Sequence, residues 1–176
     1  MEPSELERFE AAVLPHLSAA YTLARYLMRN GPDADDVVQE AFLRALKYFG
    51  GFRGDAATGT RPWLLAIVRN TAYTWQRRRR SEIGAIEFDE SLHSGAIGGE
   101  HPEAVLERTS ARETLAETLD ELPPAFREIL VLRELEGLSY KEISEVVGVP
   151  VGTIMSRLSR ARKRLQEALT GSYKER

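Results

Sequence analysis

No cysteine occurs in the 176 residues. A disulfide framework, a thiolate zinc site and a cysteine nucleophile are therefore excluded, and redox sensing has to come from another molecule. Histidine is nearly as scarce: His16, His93 and His101 stand at no spacing that resembles a metal-ligand set. The longest uninterrupted apolar run, residues 63–68, is six residues long, against the roughly 20 that a membrane-spanning helix needs. The first residues are acidic and lack the basic-then-apolar order of a signal peptide. No phosphate-cradling glycine loop, nucleophile elbow or paired-carboxylate motif appears, so no catalytic residue, metal or cofactor is expected. These absences describe a soluble, cytoplasmic chain with no membrane insertion and no chemistry of its own.

What is present is charge, unevenly spread. The 24 basic and 27 acidic side chains give a net charge of −3, but residues 1–80 carry +3, residues 81–110 carry −6 and residues 111–176 are balanced. Two blocks are basic without any acid: 56–80, with six arginines, and 151–164, with four arginines and a lysine. Screening limits the reach of a charge to about 8–10 Å, so local blocks and not the total decide what a surface attracts.

The hydrophobic pattern is helical throughout. Ser4 and Glu7 form a capping-box signature, and Leu6, Phe9, Val13, Leu17, Ala20, Ala24 and Leu27 recur on one helical face that Pro15 kinks or splits. After Asn30-Gly31-Pro32 a second helix carries Val37, Val38, Ala41, Phe42, Ala45, Leu46 and Phe49, and a third spans about 62–80. Residues 81–110, with four glycines, a proline and scattered acids, read as a flexible acidic linker with a helix starting near Pro102. Such a linker spans roughly 30 Å relaxed and about 100 Å stretched, enough for two modules to act at separate places. Further helices follow, broken at Pro123-Pro124, near Gly137 and at Gly148. The expected fold is all-α: two small helical domains, residues 1–80 and 111–170, joined by the linker.

Residues 139–164 have the pattern of a helix-turn-helix. Gly148 permits the turn, small Ser144 permits close approach, and on the second helix Thr153, Arg157, Arg160 and Arg164 fall within about 60° of one another. Arginine forks can bond guanine edges in a major groove while neighbouring cations meet phosphates. A solvated basic face on an ordinary helical hairpin is the alternative. In the other block, Trp63, Leu64, Ile67, Val68 and Ala72 form a core stripe, leaving basic and aromatic residues outside, a mixture that suits single-stranded nucleic acid. Trp63 and Trp75 equally suit a core.

These signals, in this order, resemble the extracytoplasmic-function sigma factors of bacterial RNA polymerase, within the sigma-seventy superfamily. Residues 33–45 (DADDVVQEAFLRA) look like the family's polymerase-docking helix, and 52–54 (FRG) with 63–72 (WLLAIVRNTA) look like its −10 reader. Residues 122–128 (LPPAFRE), 138–143 (LSYKEI) and 149–162 (VPVGTIMSRLSRAR) look like its −35 reader. The resemblance implies that Asp33, Asp35, Asp36, Gln39, Glu40 and Leu43 meet core polymerase, with the β′ clamp and β flap as contacts. It implies that Arg53, Arg61, Arg69, Asn70, Tyr73, Trp75, Arg77 and Arg78 hold the melted −10 strand. Val151, Gly152, Thr153, Ser156, Arg157, Arg160, Lys163 and Arg164 would read −35 promoter DNA. It further implies an acidic linker threaded through the polymerase channel, a cognate anti-sigma factor and no enzymatic activity. Two departures stand out: the 54–62 loop is longer than in many members, and Met155 stands where many carry lysine. The other function class is a helix-turn-helix regulator that acts without polymerase, for which the 33–45 helix need not dock on anything.

Overall fold

The computed structural model describes residues 3–54, 59–85 and 107–174, and the structural statements below concern those residues. All of their regular structure is helical. The N-terminal half holds α1 (Glu5–Val13), α2 (Leu17–Met28), α3 (Gly31–Tyr48) and α4 (Thr60–Ala85). The C-terminal half holds α5 (Glu107–Glu121), α6 (Pro124–Leu130), α7 (Tyr140–Val147) and α8 (Val151–Lys174). No helix among the described residues is long and apolar enough to cross a membrane.

Local chemistry sets the helix ends. The Ser4 hydroxyl accepts the Glu7 N–H while the Glu7 carboxylate accepts the Ser4 N–H, so two otherwise unpaired donors are satisfied at the start of α1. Pro15 splits the first apolar run: one 3-10 turn, Leu14–His16, separates α1 from α2. Arg29 then ends α2 with φ +66°, a left-handed position where a side chain costs roughly 1 kcal/mol more than glycine. The next residue, Asn30, caps α3 by accepting the Asp33 N–H at 2.8 Å, and Pro32 occupies the first turn. Leu6, expected on the inward face, is 53% exposed, because α1 packs through Phe9, Ala12 and Val13 and its first turn stands clear of the bundle.

In the C-terminal half the Pro123-Pro124 pair separates α5 from α6, as proline chemistry requires. Helix α6 widens into a π-type turn, Val131–Leu135, in which the Glu136 N–H reaches back five residues to the Val131 carbonyl at 3.1 Å. Gly137, at φ +66°, ends it. Ser139 and Glu142 repeat the capping box on α7, and Gly148, at φ +77°, supplies the turn into α8. Ser144 adds a bond across that turn, its hydroxyl donating to the Val149 carbonyl.

The two halves are not held apart. Buried Ile129, Val131, Leu132, Leu138, Ile143 and Ile154 join Leu23, Leu27, Val37, Leu64, Leu65 and Val68 in one continuous apolar cluster. A separate small cluster holds only Leu119, Leu122, Leu130 and Ala161. Helix α7 packs on α4, and α6 on α2. A bundle of 60–80 residues alone buries only about 60% of its unfolded surface, so sharing a core across the halves is the favourable solution. Helix α4 runs to Ala85 and α5 begins at Glu107, so helix enters both ends of the stretch read as linker. Residues 86–106, including the helix start expected near Pro102, and residues 55–58 of the long loop lie outside the described residues.

Candidate nucleic-acid interface

Helix α4 buries Leu64, Leu65, Val68 and Ala72 and turns its polar residues elsewhere. Three of the expected strand-holding groups meet carboxylates of the C-terminal half. Arg69 donates from Nε to Glu128 Oε2 at 2.7 Å and from a terminal nitrogen to Oε1 at 3.1 Å, and the Tyr73 hydroxyl donates to Oε2 at 2.9 Å. The guanidinium also lies over the Tyr73 ring, 4.7 Å from its centroid. Glu128 itself is 1% exposed. One terminal nitrogen of Arg61 donates to both Glu142 carboxylate oxygens, at 3.1 and 3.3 Å, and the other donates to the Glu136 carbonyl at 3.4 Å.

The titration of these groups follows from this arrangement. Burial works against the charged form of Arg69, but hydrogen bonding to Glu128 and its charge outweigh burial, and the pKa rises. Burial and the Glu128 charge push Tyr73 well above the usual phenol range. Burial would raise Glu142, yet the Ser139 N–H and Arg61 hold it below the ordinary carboxylate value. Burial, aided by Arg61, lowers His16.

The remaining members of the set are scattered. Arg53, Asn70 and Arg77 are exposed. Trp75 is half-buried, its indole donating to Glu40, and Arg78 lies 3.9 Å from the same carboxylate. Trp63 is a packing residue: it stacks on Phe52 at 4.4 Å within a ring cluster that includes Phe49 and Phe9. Arg79, one of four consecutive arginines, pairs with Asp33.

The expected docking face of α3 divides in the same way. Asp33 is 7% exposed and bonded to Asn30 and Arg79, so it fastens the start of α3 to the end of α4. Glu40 is bonded to Arg44 and Trp75. Asp35, Asp36 and Gln39 are exposed, and Leu43 is 70% exposed. Leu46, one of the apolar residues at helical spacing, is 39% exposed, and Tyr48 is exposed as well. Leu43 and Leu46 stand three residues apart, one turn from each other, and make an apolar strip beside Asp36 and Gln39.

Helix α8 presents the other face. Ile154, Leu158 and Ala161 are buried, while Val151, Gly152, Ser156, Arg160, Lys163 and Arg164 are exposed and Thr153 and Arg157 are half-buried. Among the described residues no carboxylate pairs with Arg157, Arg160, Lys163 or Arg164; Arg164 lies over the Phe126 ring at 5.4 Å. Arg162 alone is paired, with Glu134 at 2.7 Å, whose hydrogen bond raises its pKa. Behind this pair Leu130, Leu165 and Leu169 line an open apolar groove of about 540 Å³, a feature the sequence reading did not single out.

Comparison with known proteins agrees with the two halves. The family described as sigma-70 region 2 matches residues 12–82, and the family described as sigma-70 region 4 matches residues 112–165. The RNA polymerase sigma-H factor of Pseudomonas aeruginosa is 38% identical over 174 residues, which are 95% of this chain and 89% of that protein. The ECF RNA polymerase sigma-E factor of Escherichia coli is 41% identical over 137 residues, 74% of this chain and 71% of that one. Among solved structures, the sigma factor RpoE bound to the anti-sigma factor NepR, from Bartonella quintana, superposes with a TM-score of 0.74 at 30% identity, covering 92% of this chain and 96% of that one. CnrH in complex with the cytosolic domain of CnrY gives 0.63 at 27% identity, covering 93% and 88%. The helix-turn-helix, the basic helices and these relatives converge: the chain belongs to the extracytoplasmic-function sigma factors of the sigma-70 family, non-enzymatic promoter-specificity subunits of RNA polymerase.

Proposed function

We propose that this chain recognises both promoter elements and helps to open the strands, each step carried by a different helix. The exposed strip Asp35, Asp36, Gln39, Leu43 and Leu46 on α3 docks on the β′ clamp of core polymerase. The basic face of α4, with Arg53 beside it, holds the melted −10 strand through phosphates and stacked bases. The first two turns of α8, Val151 to Arg157, enter the −35 major groove, while Arg160, Lys163 and Arg164 meet phosphates. The apolar groove of Leu130, Leu165 and Leu169 seats the β flap. The stretch 81–110, with its charge of −6, suits a polymerase channel built for an anionic strand. A cognate anti-sigma factor controls the chain in the cytoplasm by covering the docking surfaces.

The observation that carries this reading is the α8 face: a helix that follows a glycine turn at φ +77° and whose cations Arg157, Arg160, Lys163 and Arg164 have no acidic partner among the described residues. A regulator acting without polymerase is not favoured, because the exposed Leu43–Leu46 strip has no role in it. Run-off transcription with core polymerase on a promoter library tests the reading. Transcripts that depend on the added chain support it; their absence at every promoter counts against it. Asp36→Lys should abolish holoenzyme formation while leaving the helical content unchanged, and normal assembly by that variant contradicts the docking role.

A further inference from the structure

The three α4 side chains Arg61, Arg69 and Tyr73 spend their polar atoms on the other half of the molecule. The partners are tertiary and not local: Arg69 and Glu128 are 59 residues apart, and Arg61 and Glu142 are 81 apart. A third link runs the opposite way, from buried Arg127 of α6 to the Tyr26 carbonyl of α2 at 3.0 Å. A guanidinium fork bonds carboxylate and phosphate with the same bidentate geometry. Arg69, with both edge donors on Glu128, therefore presents to that carboxylate the face it would present to a nucleic-acid phosphate. It cannot serve both.

We propose that Glu128 and Glu142 are internal stand-ins for strand phosphates, so that the closed arrangement is self-occluded at α4 and must open between α4 and α7 before a melted strand can be held there. This rests on the strand-holding role proposed for α4 and goes beyond it by giving that site two mutually exclusive occupants, one supplied by the chain itself. The same closed arrangement leaves the α8 face free. Duplex grip then precedes strand capture, and the first does not need the opening that the second requires. The continuous apolar cluster across the halves supplies the closing force, since on opening each charge regains water and the ion pairs contribute little net. The pairs act instead on specificity: they close the interface in the register that covers the α4 cations. Removing a carboxylate leaves Arg69 or Arg61 partly buried opposite a neutral group, and that disfavours the closed form.

The test uses the full chain and its lack of cysteine. With Ser18→Cys and Ser159→Cys, both exposed and in opposite halves, a dye pair reports the distance between α2 and α8. Glu128→Gln with Glu142→Gln should lengthen that distance. It should also raise the affinity for a fluorescein-labelled mixed-sequence 20-nucleotide single strand about tenfold, the gain expected if the open form is one molecule in ten before substitution. Affinity for a duplex of the same sequence should change less than twofold. Glu121→Gln with Glu145→Gln, on exposed residues, removes the same charge without touching the pairs and should do neither. An unchanged distance overturns the proposal, as does an equal gain for single strand and duplex, or an equal gain in the control. If circular dichroism finds the double variant unfolded, Glu142→Gln alone carries the test, with a gain of at least twofold for single strand and the same overturning outcomes. Run-off transcription by the unsubstituted chain reads the sigma role separately: its failure removes the proposed function, whereas unaltered opening in the variants removes only the self-occlusion.

Discussion

Helices α4 and α8 are both arginine-rich and both lie on the surface of a shared core, yet their cations are in opposite states. On α4, Arg61, Arg69, Arg78 and Arg79 each have a carboxylate within 4.0 Å. On α8, among the described residues, only Arg162 does. The difference does not lie in composition, since each block is free of acid along its own length. It arises because α3 brings Asp33 and Glu40 to the end of α4 while the C-terminal half brings Glu128 and Glu142 to Arg69 and Arg61, whereas Arg157, Arg160, Lys163 and Arg164 of α8 meet no carboxylate among the described residues. A basic block in a sequence therefore advertises cations, and the fold decides which of them are available to an anionic partner.

The largest consequence should be read in salt. If the open α8 face and its surroundings neutralise about five phosphates, the log–log slope of duplex affinity against salt is near −4.5, or about a 500-fold loss between 50 and 200 mM. Single-strand binding by the closed chain should fall less steeply. Freeing Arg61 and Arg69 through Glu128→Gln and Glu142→Gln should steepen it by about 1.4, two cations at roughly 0.7 each. Equal slopes for the two probes in the unsubstituted chain, measured by anisotropy titration, would erase the distinction between the helices.

Stability separates them next. Glu128→Ala strips the partner from half-buried Arg69 and from Tyr73, and breaking a buried pair in this way costs about 3–5 kcal/mol if the remaining charge stays buried. Opening lets Arg69 reach water, so the free energy of opening caps the loss. Glu134→Ala breaks the Arg162 pair on α8, where both side chains are about half exposed, and should cost 0–1 kcal/mol. Urea unfolding of both variants tests the contrast, and equal losses would break it.

These differences show what a sequence exposes and what it hides. The capping box at Ser4, the split at Pro15, the turn at Gly148 and the α8 cation stripe were legible, because each depends on residues within a few helical turns. The partners of Arg61, Arg69 and Tyr73 were not. Glu142 and Glu128 were visible only as parts of motifs, since nothing local records a contact 59 or 81 residues away. The exposure of Leu46 was hidden for a related reason: its spacing fits the apolar face of α3, but the helix buries Val37, Val38, Ala41 and Ala45, and Leu46 falls at the edge of that stripe. The apolar cluster shared by the two halves was hidden at the same level, because a continuous core is a property of the packed halves and not of either pattern.

Base reading offers a narrower contrast. Arg157→Ala should cost about 1–3 kcal/mol in binding to the cognate −35 duplex and relax selection at the position it contacts. Arg69→Ala should leave duplex affinity unchanged, because its guanidinium is engaged with Glu128. Selection from a randomised duplex pool checks both, and unchanged selection by Arg157→Ala would count against its place in the groove.

The smallest expected effect is a response to acid at the α4–α7 contact. Glu142 titrates below its ordinary value: burial opposes the shift, but the Ser139 N–H and Arg61 prevail. The Ser139 bond belongs to the α7 capping box and survives opening, so only the Arg61 share is linked to closure. A carboxylate depressed in the closed form favours that form above its ordinary value near 4.5 and loses the contribution as pH falls through the depressed one. Between pH 6 and pH 5 Glu142 should therefore contribute no change in the dye distance, and its contribution should begin to lengthen it only below about pH 4.5. Arg61 and Glu142 are each roughly a quarter to a third exposed, so water and salt weaken their attraction and the shift should be slight. Glu142→Gln should flatten that part of the profile at the already longer distance. A profile identical with and without the Glu142 carboxylate would assign the acid response to other groups and leave the Glu128 pair as the cross-half contact that covers α4.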